Sequence, residues 1–145
     1  MIVSKETYRN KIKPYHRKII DYVKSNWDVK VLIHSCGAIR PIIPDFIEIG
    51  IDAINPVQIS ASGMDPESLK MEFGNNITFW GGGVDTQHVL GVAKPEEVTA
   101  AVRENMKVFK PGGGFVFAQV HNIMPNVPLE NIIAMYDAFH ENATY

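Results

Sequence analysis

A unit of one apolar strand followed by one helix occurs four times along the chain, and this repetition constrains the fold more than any other feature. Strands that alternate with helices and carry no polar face are typical of a parallel sheet covered by helices. The sequence therefore predicts an α/β fold, either an open doubly wound sheet or a (β/α)8 barrel. No Gly-x-Gly-x-x-Gly follows the first strand, so a dinucleotide-binding sheet has no support. The predicted strands cover residues 29–34, 52–56, 77–82 and 114–119.

Helices are predicted before the first strand and after each of the four. The leading helix covers residues 5–26, with a bend or a break at Pro14. Its apolar residues recur at helical spacing and predict one apolar face, made of Tyr15, Ile19, Tyr22 and Val23. The last helix begins at Pro128 and is predicted to carry Ile132, Tyr136 and Phe139 on one face. The helices between them are predicted over residues 42–50, 65–74 and 94–110.

Length, composition and charge narrow the class of protein. The 145 residues, of which 46% are hydrophobic and 21% charged, suffice for a single domain, residues 1–145, with one hydrophobic core. A net charge of −2 provides no basic surface for nucleic acid. No apolar run approaches the ~20 residues that cross a bilayer, and the first residues lack the apolar core of a signal peptide. With one cysteine and no internal disulfide, we expect a cytoplasmic protein that binds neither nucleic acid nor membrane.

Polar side chains collect just after the predicted strands. In parallel α/β folds the carboxyl ends of the strands form the functional rim of the molecule, because that rim carries the variable loops and the helix N-termini. The pattern therefore predicts an active site there. Its candidate residues are His34 and Cys36 after the first strand, Asn55 and Gln58 after the second, Gly82, Gly83 and Asp85 after the third, and His121 and Asn122 after the fourth.

The stretch "HSCG" holds the most specific pair of candidates. His34 and Cys36 are two residues apart where a strand ends, so both side chains can point to the same side. Imidazole and thiolate are common zinc ligands, and His121 is the candidate third ligand from elsewhere in the chain. Two other interpretations stay open. Cys36 is also compatible with a small buried apolar residue or with the nucleophile of a Cys–His pair.

The remaining candidates each have two interpretations. The glycines at 81–83 either bind an anion through their amides or make room for another part of the chain. Asp85 is either a general base and substrate clamp or a helix cap. Asn55 and Gln58 either hydrogen-bond a substrate or satisfy their own loops.

Five stretches distributed along nearly the whole chain share one set of motifs: "HSCGAIRPIIPDFIEIGIDAINPVQ", "GMDPESLKMEFGNNITFWGGGVDTQHVL", "PEEV", "KPGGGFVFAQVHNI" and "PNVPLENIIAMYDAF". In these motifs the chain resembles the C-terminal half of the uroporphyrinogen decarboxylase superfamily. This superfamily includes the decarboxylase itself and zinc-dependent methyltransferases that move methyl groups between a corrinoid and a thiol such as coenzyme M. The resemblance implies a (β/α)8 barrel, of which this chain holds the last four strands.

The resemblance implies zinc-dependent methyl transfer as the leading function. His34 and Cys36 match the His-x-Cys of the methyltransferases, and His121 stands where that branch has a further cysteine. The implied site holds zinc on these three residues, takes a methylated corrinoid as co-substrate, and uses Asp85 and Gln58 to position substrate. Gln58 departs from the pattern, because an acidic residue is common near that position. Asn55, Asn122 and the glycines 82 and 83 line the predicted substrate cleft.

Two alternatives accompany that function. True decarboxylases lack the His-x-Cys but carry a histidine at the position of His121, which would then contact a tetrapyrrole substrate, with Asp85 and the glycine loop lining the cleft. Their essential aspartate and arginine lie in the N-terminal half, for which this chain has no counterpart. The other alternative is a non-catalytic assembly subunit that retains the rim residues as relics.

A four-stranded half-barrel leaves its two sheet edges and the apolar inner face of its sheet uncovered. We therefore predict a homodimer, or a partner chain that supplies the other half of the barrel, unless the sequence is part of a longer enzyme. Whether the half-barrel is active alone is left open by the sequence.

Overall fold

The computed structural model describes residues 3–144, in which four parallel strands alternate with helices. The order of the strands in the sheet follows the order in the chain, β1-β2-β3-β4. This arrangement confirms the predicted α/β fold and the partial barrel, because each strand lies beside the next one along the chain. The strands are β1 (Leu32–His34), β2 (Ala53–Asn55), β3 (Thr78–Trp80) and β4 (Phe115–Val116).

The helices begin and end close to the predicted positions. Asp65 caps one of them, since its Oδ1 accepts a hydrogen bond of 2.9 Å from the Ser68 N–H. Gly50, which has a positive φ of 87°, ends the segment that contains a second of these helices. None of the helices within residues 3–144 is long and apolar enough to cross a membrane. The helices are α1 (Lys5–Thr7), a π-helical turn (Tyr8–Ile12), α2 (Lys13–Asn26), a 3-10 turn (Arg40–Ile42), α3 (Ile43–Glu48), α4 (Pro66–Phe73), α5 (Pro95–Phe109) and α6 (Leu129–Asn142).

The sheet has one covered face and one open face. Ile54 and Phe79 turn toward the helices and are fully buried. Leu32 and Trp80 lie on the other face and remain 41% and 43% exposed. This open face is the uncovered inner face that the sequence predicts for a half-barrel. In a closed barrel the same face is covered, because side chains from all of the strands fill the interior.

The buried side chains form two hydrophobic clusters that meet at β4. One surrounds β1 to β3 and includes Phe46 and Phe79. The other lies between α5 and α6 and includes Val102 and Met135. Phe115 of β4 packs against both clusters, so the sheet and the last two helices form one continuous core.

The leading helix is fixed to α3 by a buried carboxylate. Asp45, whose side chain is only 1% exposed, accepts hydrogen bonds from Arg9 Nε at 2.9 Å and from Lys13 Nζ at 2.6 Å. Burial alone would raise the pKa of Asp45, but the hydrogen bonds and charges of Lys13 and Arg9 outweigh it and lower that pKa. The network therefore holds the leading helix over the start of the sheet.

The apolar faces predicted on two helices are not the buried faces of those helices. On α2 the residues Tyr15, Ile19 and Tyr22 are exposed, whereas Ile20 is buried. On α6 the residue Tyr136 is exposed, and the buried residues are Asn131, Met135 and Ala138. Helical spacing identifies an apolar stripe, but it does not state whether the stripe faces the sheet or a neighbouring helix. In both helices the exposed stripe lies beside the face that packs on the core.

Candidate metal centre

Three side chains of types that can bind a metal come together at the carboxyl ends of β1 and β4. His34 is the last residue of β1, Cys36 follows it, and His121 lies in the loop after β4. One ligand atom from each residue lies within 4.8 Å of the other two, and all three residues are exposed. Within residues 3–144 this is the one group of three or more His, Cys, Asp and Glu side chains arranged in this way.

A neighbouring amide orients the His34 ring. Asn55 Nδ2 donates to the Trp80 carbonyl at 3.0 Å, so its Oδ1 faces His34 Nδ1 at 2.8 Å. Because an amide oxygen only accepts, Nδ1 carries the proton and donates it. The unprotonated Nε2 then points toward Cys36, whose Sγ lies 3.4 Å away. This is the tautomer that a metal-binding imidazole requires.

The loop that carries Cys36 is fixed at both of its ends. The Ser35 N–H donates to the Asn55 carbonyl at 2.7 Å, which extends the pairing of β1 with β2. The Gly37 N–H donates to Gln58 Oε1 at 2.8 Å. Gln58 therefore holds the loop through its Oε1 atom. The family resemblance instead implies that the Gln58 side chain positions substrate.

His121 has a backbone conformation that side chains seldom adopt. Its φ is 62°, and it is the non-glycine residue with positive φ in the described chain. Such a conformation costs about 1 kcal/mol and persists where the surroundings impose it. The flanking backbone supplies that restraint. Val120 N–H donates to Val84 O at 2.9 Å, Thr86 Oγ1 donates to Val120 O at 2.6 Å, and Gln119 Nε2 donates to His121 O at 2.9 Å.

The donor set fits a catalytic zinc ion. Two imidazoles and a thiolate are common zinc ligands, and three protein ligands leave one tetrahedral position open. Two atoms bound to the same tetrahedral zinc lie about 3.4–3.7 Å apart. The 3.4 Å between Cys36 Sγ and His34 Nε2 already matches that spacing. His121 needs only a small approach, since the whole set lies within 4.8 Å.

The glycines after β3 are used for packing between parts of the chain. Gly82 and Gly83 are buried, and a Cβ on Gly83 would lie 2.4 Å from Phe117 Cε2. On Gly82 a Cβ would lie 3.0 Å from Val57 Cβ. The N–H groups of Gly81 and Gly83 donate to the carbonyls of Val116 and Ala118. Of the two interpretations offered by the sequence, the structure favours room for the chain over an anion cradle.

Asp85 is buried and caps the turn that follows it. Its Oδ1 accepts from the Gln87 N–H at 2.6 Å, and its Oδ2 lies 3.1 Å from His88 Nδ1. Burial alone would raise the pKa of Asp85, but hydrogen bonds from Gln87, His88 and Ser60 outweigh it and lower that pKa. A carboxylate with a lowered pKa is a weak base, so the contacts favour the capping role over general-base catalysis.

Two further features complete the rim. Asn122 is exposed beside His121, where a bound substrate can reach it. A mostly apolar cavity of about 310 Å³ adjoins His34 and Cys36 between the leading helix and β1. On its wall the Tyr8 hydroxyl lies 3.2 Å from His16 Nδ1, and burial, with a smaller effect of Asp45, raises the pKa of Tyr8 to about 12. Nothing in the sequence pattern singled out Tyr8, because the cavity forms only when the helix packs on the strand.

The fold and the site together define a partial (β/α)8 barrel. The rim at the carboxyl ends of its strands carries His and Cys side chains that can bind a metal. Residues 1–142 match the family of uroporphyrinogen decarboxylase (URO-D), and the chain belongs to that family. A methyltransferase from Methanosarcina mazei has a similar structure, with a TM-score of 0.76 over 98% of this chain and 22% sequence identity. This chain spans 39% of that protein. No curated protein sequence matches the chain.

Proposed function

We propose that the chain carries the metal-binding part of an active site that transfers a methyl group from a methylated corrinoid to a thiol. His34, Cys36 and His121 are the ligands of a zinc ion in this proposal. The observation that supports it is their meeting, within 4.8 Å, on the rim where such barrels carry their sites. A zinc ion held there supplies an open position that favours the thiolate form of a coordinated thiol.

The protein residues have separate tasks in this site. Asn55 fixes the His34 tautomer, so that Nε2 is available without a proton transfer. Gln58 holds the Cys36 loop through the Gly37 N–H. The exposed positions of the three ligands leave the site open to a large co-substrate above the rim. A mostly apolar cavity of about 310 Å³ lies beside His34 and Cys36 and offers space for an apolar part of a substrate.

The comparisons support the family and the fold, and they leave both the reaction and its substrates to experiment. The structural neighbour from Methanosarcina mazei is a methyltransferase, and it is much longer than this chain, which spans 39% of it. Residues that bind a corrinoid or a thiol therefore lie partly outside the 145 residues in this proposal. We place the complete enzyme in the cytoplasm, where the thiol of Cys36 stays reduced.

The alternative is decarboxylation of a tetrapyrrole acetate group without a metal, which the name of the family favours. In this alternative the exposed His121 contacts the substrate, and Asn122 lies beside it. The two functions respond differently to metal removal. Turnover of uroporphyrinogen by a complete, chelator-treated enzyme supports decarboxylation, whereas a loss of thiol methylation on chelation supports the zinc-dependent reaction.

Elemental analysis of the purified chain tests the ligand assignment directly. We expect about one zinc per chain in the wild type and almost none in His34→Ala, Cys36→Ser or His121→Ala. His88→Ala is the matched control, because His88 is an exposed rim histidine that contacts Asp85 rather than the ligand set. Zinc that remains in all three ligand variants contradicts the assignment, as does a wild-type chain that binds none from a zinc-containing buffer.

A further inference from the structure

The conformation of His121 is determined by the two peptide groups that flank it. The angle φ orients the peptide group that contains the Val120 carbonyl, and the angle ψ orients the one that contains the His121 carbonyl. The φ of His121 is 62°, in the left-handed region that residues with a Cβ seldom adopt. Both carbonyls therefore need partners that keep the backbone from relaxing to negative φ.

Thr86, in the turn after β3, holds the first of these carbonyls. Its Oγ1 donates to Val120 O at 2.6 Å. The Val120 N–H donates to Val84 O at 2.9 Å, so both backbone groups of Val120 are bound by this one turn. Val120 is buried, which limits competition from water for the two bonds. The peptide group on the N-terminal side of His121 is thereby fixed.

Gln119 holds the second carbonyl. Its Nε2 donates to His121 O at 2.9 Å, which fixes the peptide group on the C-terminal side of His121. The imidazole itself is exposed, and its centroid lies 5.7 Å from that of the His34 ring. Packing restrains an exposed ring only slightly, so the direction of the His121 side chain depends on its backbone.

The turn that carries Thr86 is itself anchored by the buried carboxylate of Asp85. That carboxylate accepts hydrogen bonds from the N–H groups of Gln87 at 2.6 Å and of His88 at 3.3 Å. It also accepts a hydrogen bond from Ser60, in the loop after β2. The contact with Val120 therefore ties the loop of His121 to a turn that is fixed to two other loops of the rim.

We propose that Thr86 and Gln119 are positioning residues of the metal centre, because they hold His121 in its ligating conformation. This role rests on the proposed function, since it takes His121 as a metal ligand. In the present conformation a ligand atom of His121 lies within 4.8 Å of those of His34 and Cys36. A change to negative φ turns the Cα–Cβ bond by roughly 120° or more about the N–Cα bond and carries the imidazole away from them.

Zinc affinity, measured by competition with a chromophoric chelator, tests the role of each side chain. We expect Thr86→Val and Gln119→Met each to lower the affinity about 10-fold to 100-fold, because each variant loses a donor that orients a ligand. Thr86→Ser keeps the hydroxyl and stays near the wild-type affinity. Thr99→Val is the matched control, since Thr99 is a half-buried threonine on α5, away from the rim. Circular dichroism establishes that each variant remains folded.

The absorption spectrum of the Co²⁺-substituted chain shows which ligand is affected. Its bands report the number and geometry of the ligands, so they do not respond to a change in folding stability alone. We expect the spectrum of Thr86→Val to resemble that of His121→Ala, and the spectrum of Thr86→Ser to resemble that of the wild type. A wild-type spectrum for Thr86→Val overturns the role assigned to Thr86.

Amide hydrogen exchange of the metal-free chain tests the restraint without zinc. We expect Thr86→Val to speed exchange of the Val120 N–H about fivefold or more, because its peptide group loses a hydrogen bond. The Phe79 N–H, which donates to Gly114 O in the sheet, keeps its wild-type rate. This difference shows that the loosening is local to the loop of His121.

The outcomes separate this role from the zinc assignment. A wild-type chain that binds zinc, together with a Thr86→Val variant of unchanged affinity, overturns the positioning role and leaves the proposed function standing. The same holds whether or not exchange at Val120 becomes faster, since a restraint without effect on the metal is structural only. A wild-type chain that binds no zinc overturns the proposed function and this role with it.

Discussion

His34 Nδ1 and Asn55 Oδ1 lie 2.8 Å apart, and this contact joins the carboxyl ends of β1 and β2. Asn55 cannot rotate to present its other side-chain atom, because Nδ2 is engaged by the Trp80 carbonyl of β3. The orientation of one imidazole is thus fixed by three adjacent strands. A contact built on the sheet positions a ligand more precisely than a contact within a mobile loop.

Removing that contact weakens metal binding without removing a ligand. We expect Asn55→Ala to lower zinc affinity about 10-fold to 100-fold, because His34 loses the acceptor that fixes its tautomer and ring orientation. Competition with a chromophoric chelator measures the change. Asn122→Ala is the matched control, since Asn122 is an exposed amide on the same rim, and its zinc affinity stays at the wild-type value. Equal affinities in the two variants contradict the role assigned to Asn55.

The candidate ligands and their meeting place were predictable from the sequence, but the supporting contacts were not. His34, Cys36 and His121 follow strands, and parallel strands bring their carboxyl ends to one edge. The partners of Asn55 and Gln58 depend on which side-chain atom meets which backbone group across neighbouring strands. A linear pattern holds no information on that geometry, so the sequence left both amides between a contact with substrate and a role within their own loops.

The Asp45 carboxylate gives stability a specific acid dependence. Its pKa in the folded chain lies below the ordinary value of 3.8, so it is held in the charged form. The stabilisation is complete above that ordinary pKa and is lost as the pH falls through the lower folded value. We expect urea midpoints of the wild type to fall between about pH 5 and about pH 2, and those of Asp45→Asn to fall less.

At pH 7 the same variant separates the buried ion pair from a surface pair. Asp45→Asn leaves the ammonium of Lys13 without its buried partner, which costs about 2–3 kcal/mol of unfolding free energy. Glu104→Gln removes an exposed pair with Lys107, where solvent screens the charges, and changes stability little. Equal losses in the two variants would show that the burial of Asp45 contributes nothing.

Gly83 is predicted to tolerate no side chain, because the space for one is occupied. A Cβ there would lie 2.4 Å from the Phe117 ring and 2.9 Å from the Ala118 carbonyl. We expect Gly83→Ala to cost about 1–3 kcal/mol in urea unfolding. Gly112 is the control, since its φ is 75° but nothing lies within 4 Å of its Cβ position. Asparagine tolerates that conformation, so Gly112→Asn costs less than about 1 kcal/mol. A tolerated Gly83→Ala would reopen the anion-binding role of the loop.

The order of elements was predictable, whereas the sides of two helices were not. The helix signals at Asp65 and Gly50 are local, and the structure confirms them. Tyr15 and Tyr136 belong to apolar stripes. Such a stripe can pack equally well on the core under the sheet or on a neighbouring helix. The side that faces the sheet is decided by the packing of the whole layer. Asn131 illustrates the same point, since a polar residue on α6 is more deeply buried than its apolar neighbours Ile132 and Ile133.

Asn131 joins α6 to the loop before α5, and its replacement tests that connection. Its Nδ2 donates to Leu90 O at 2.9 Å and to Ala93 O at 2.8 Å, and it is only 1% exposed. Asn131→Ala leaves two carbonyls without this donor and costs about 1–3 kcal/mol of unfolding free energy. The exposed Asn10→Ala, as control, stays within about 0.5 kcal/mol of the wild type.

Asn131→Asp is the more severe change, because it places a carboxyl group against two carbonyl oxygens away from water. Burial raises the pKa of such a carboxyl above its unfolded value, so the folded chain favours the protonated form. The variant is therefore closest to wild-type stability at about pH 4 and loses stability progressively as the pH rises to about 7. Urea unfolding at both values measures this slope. A variant whose deficit stays constant with pH contradicts the buried, unhydrated site assigned to Asn131.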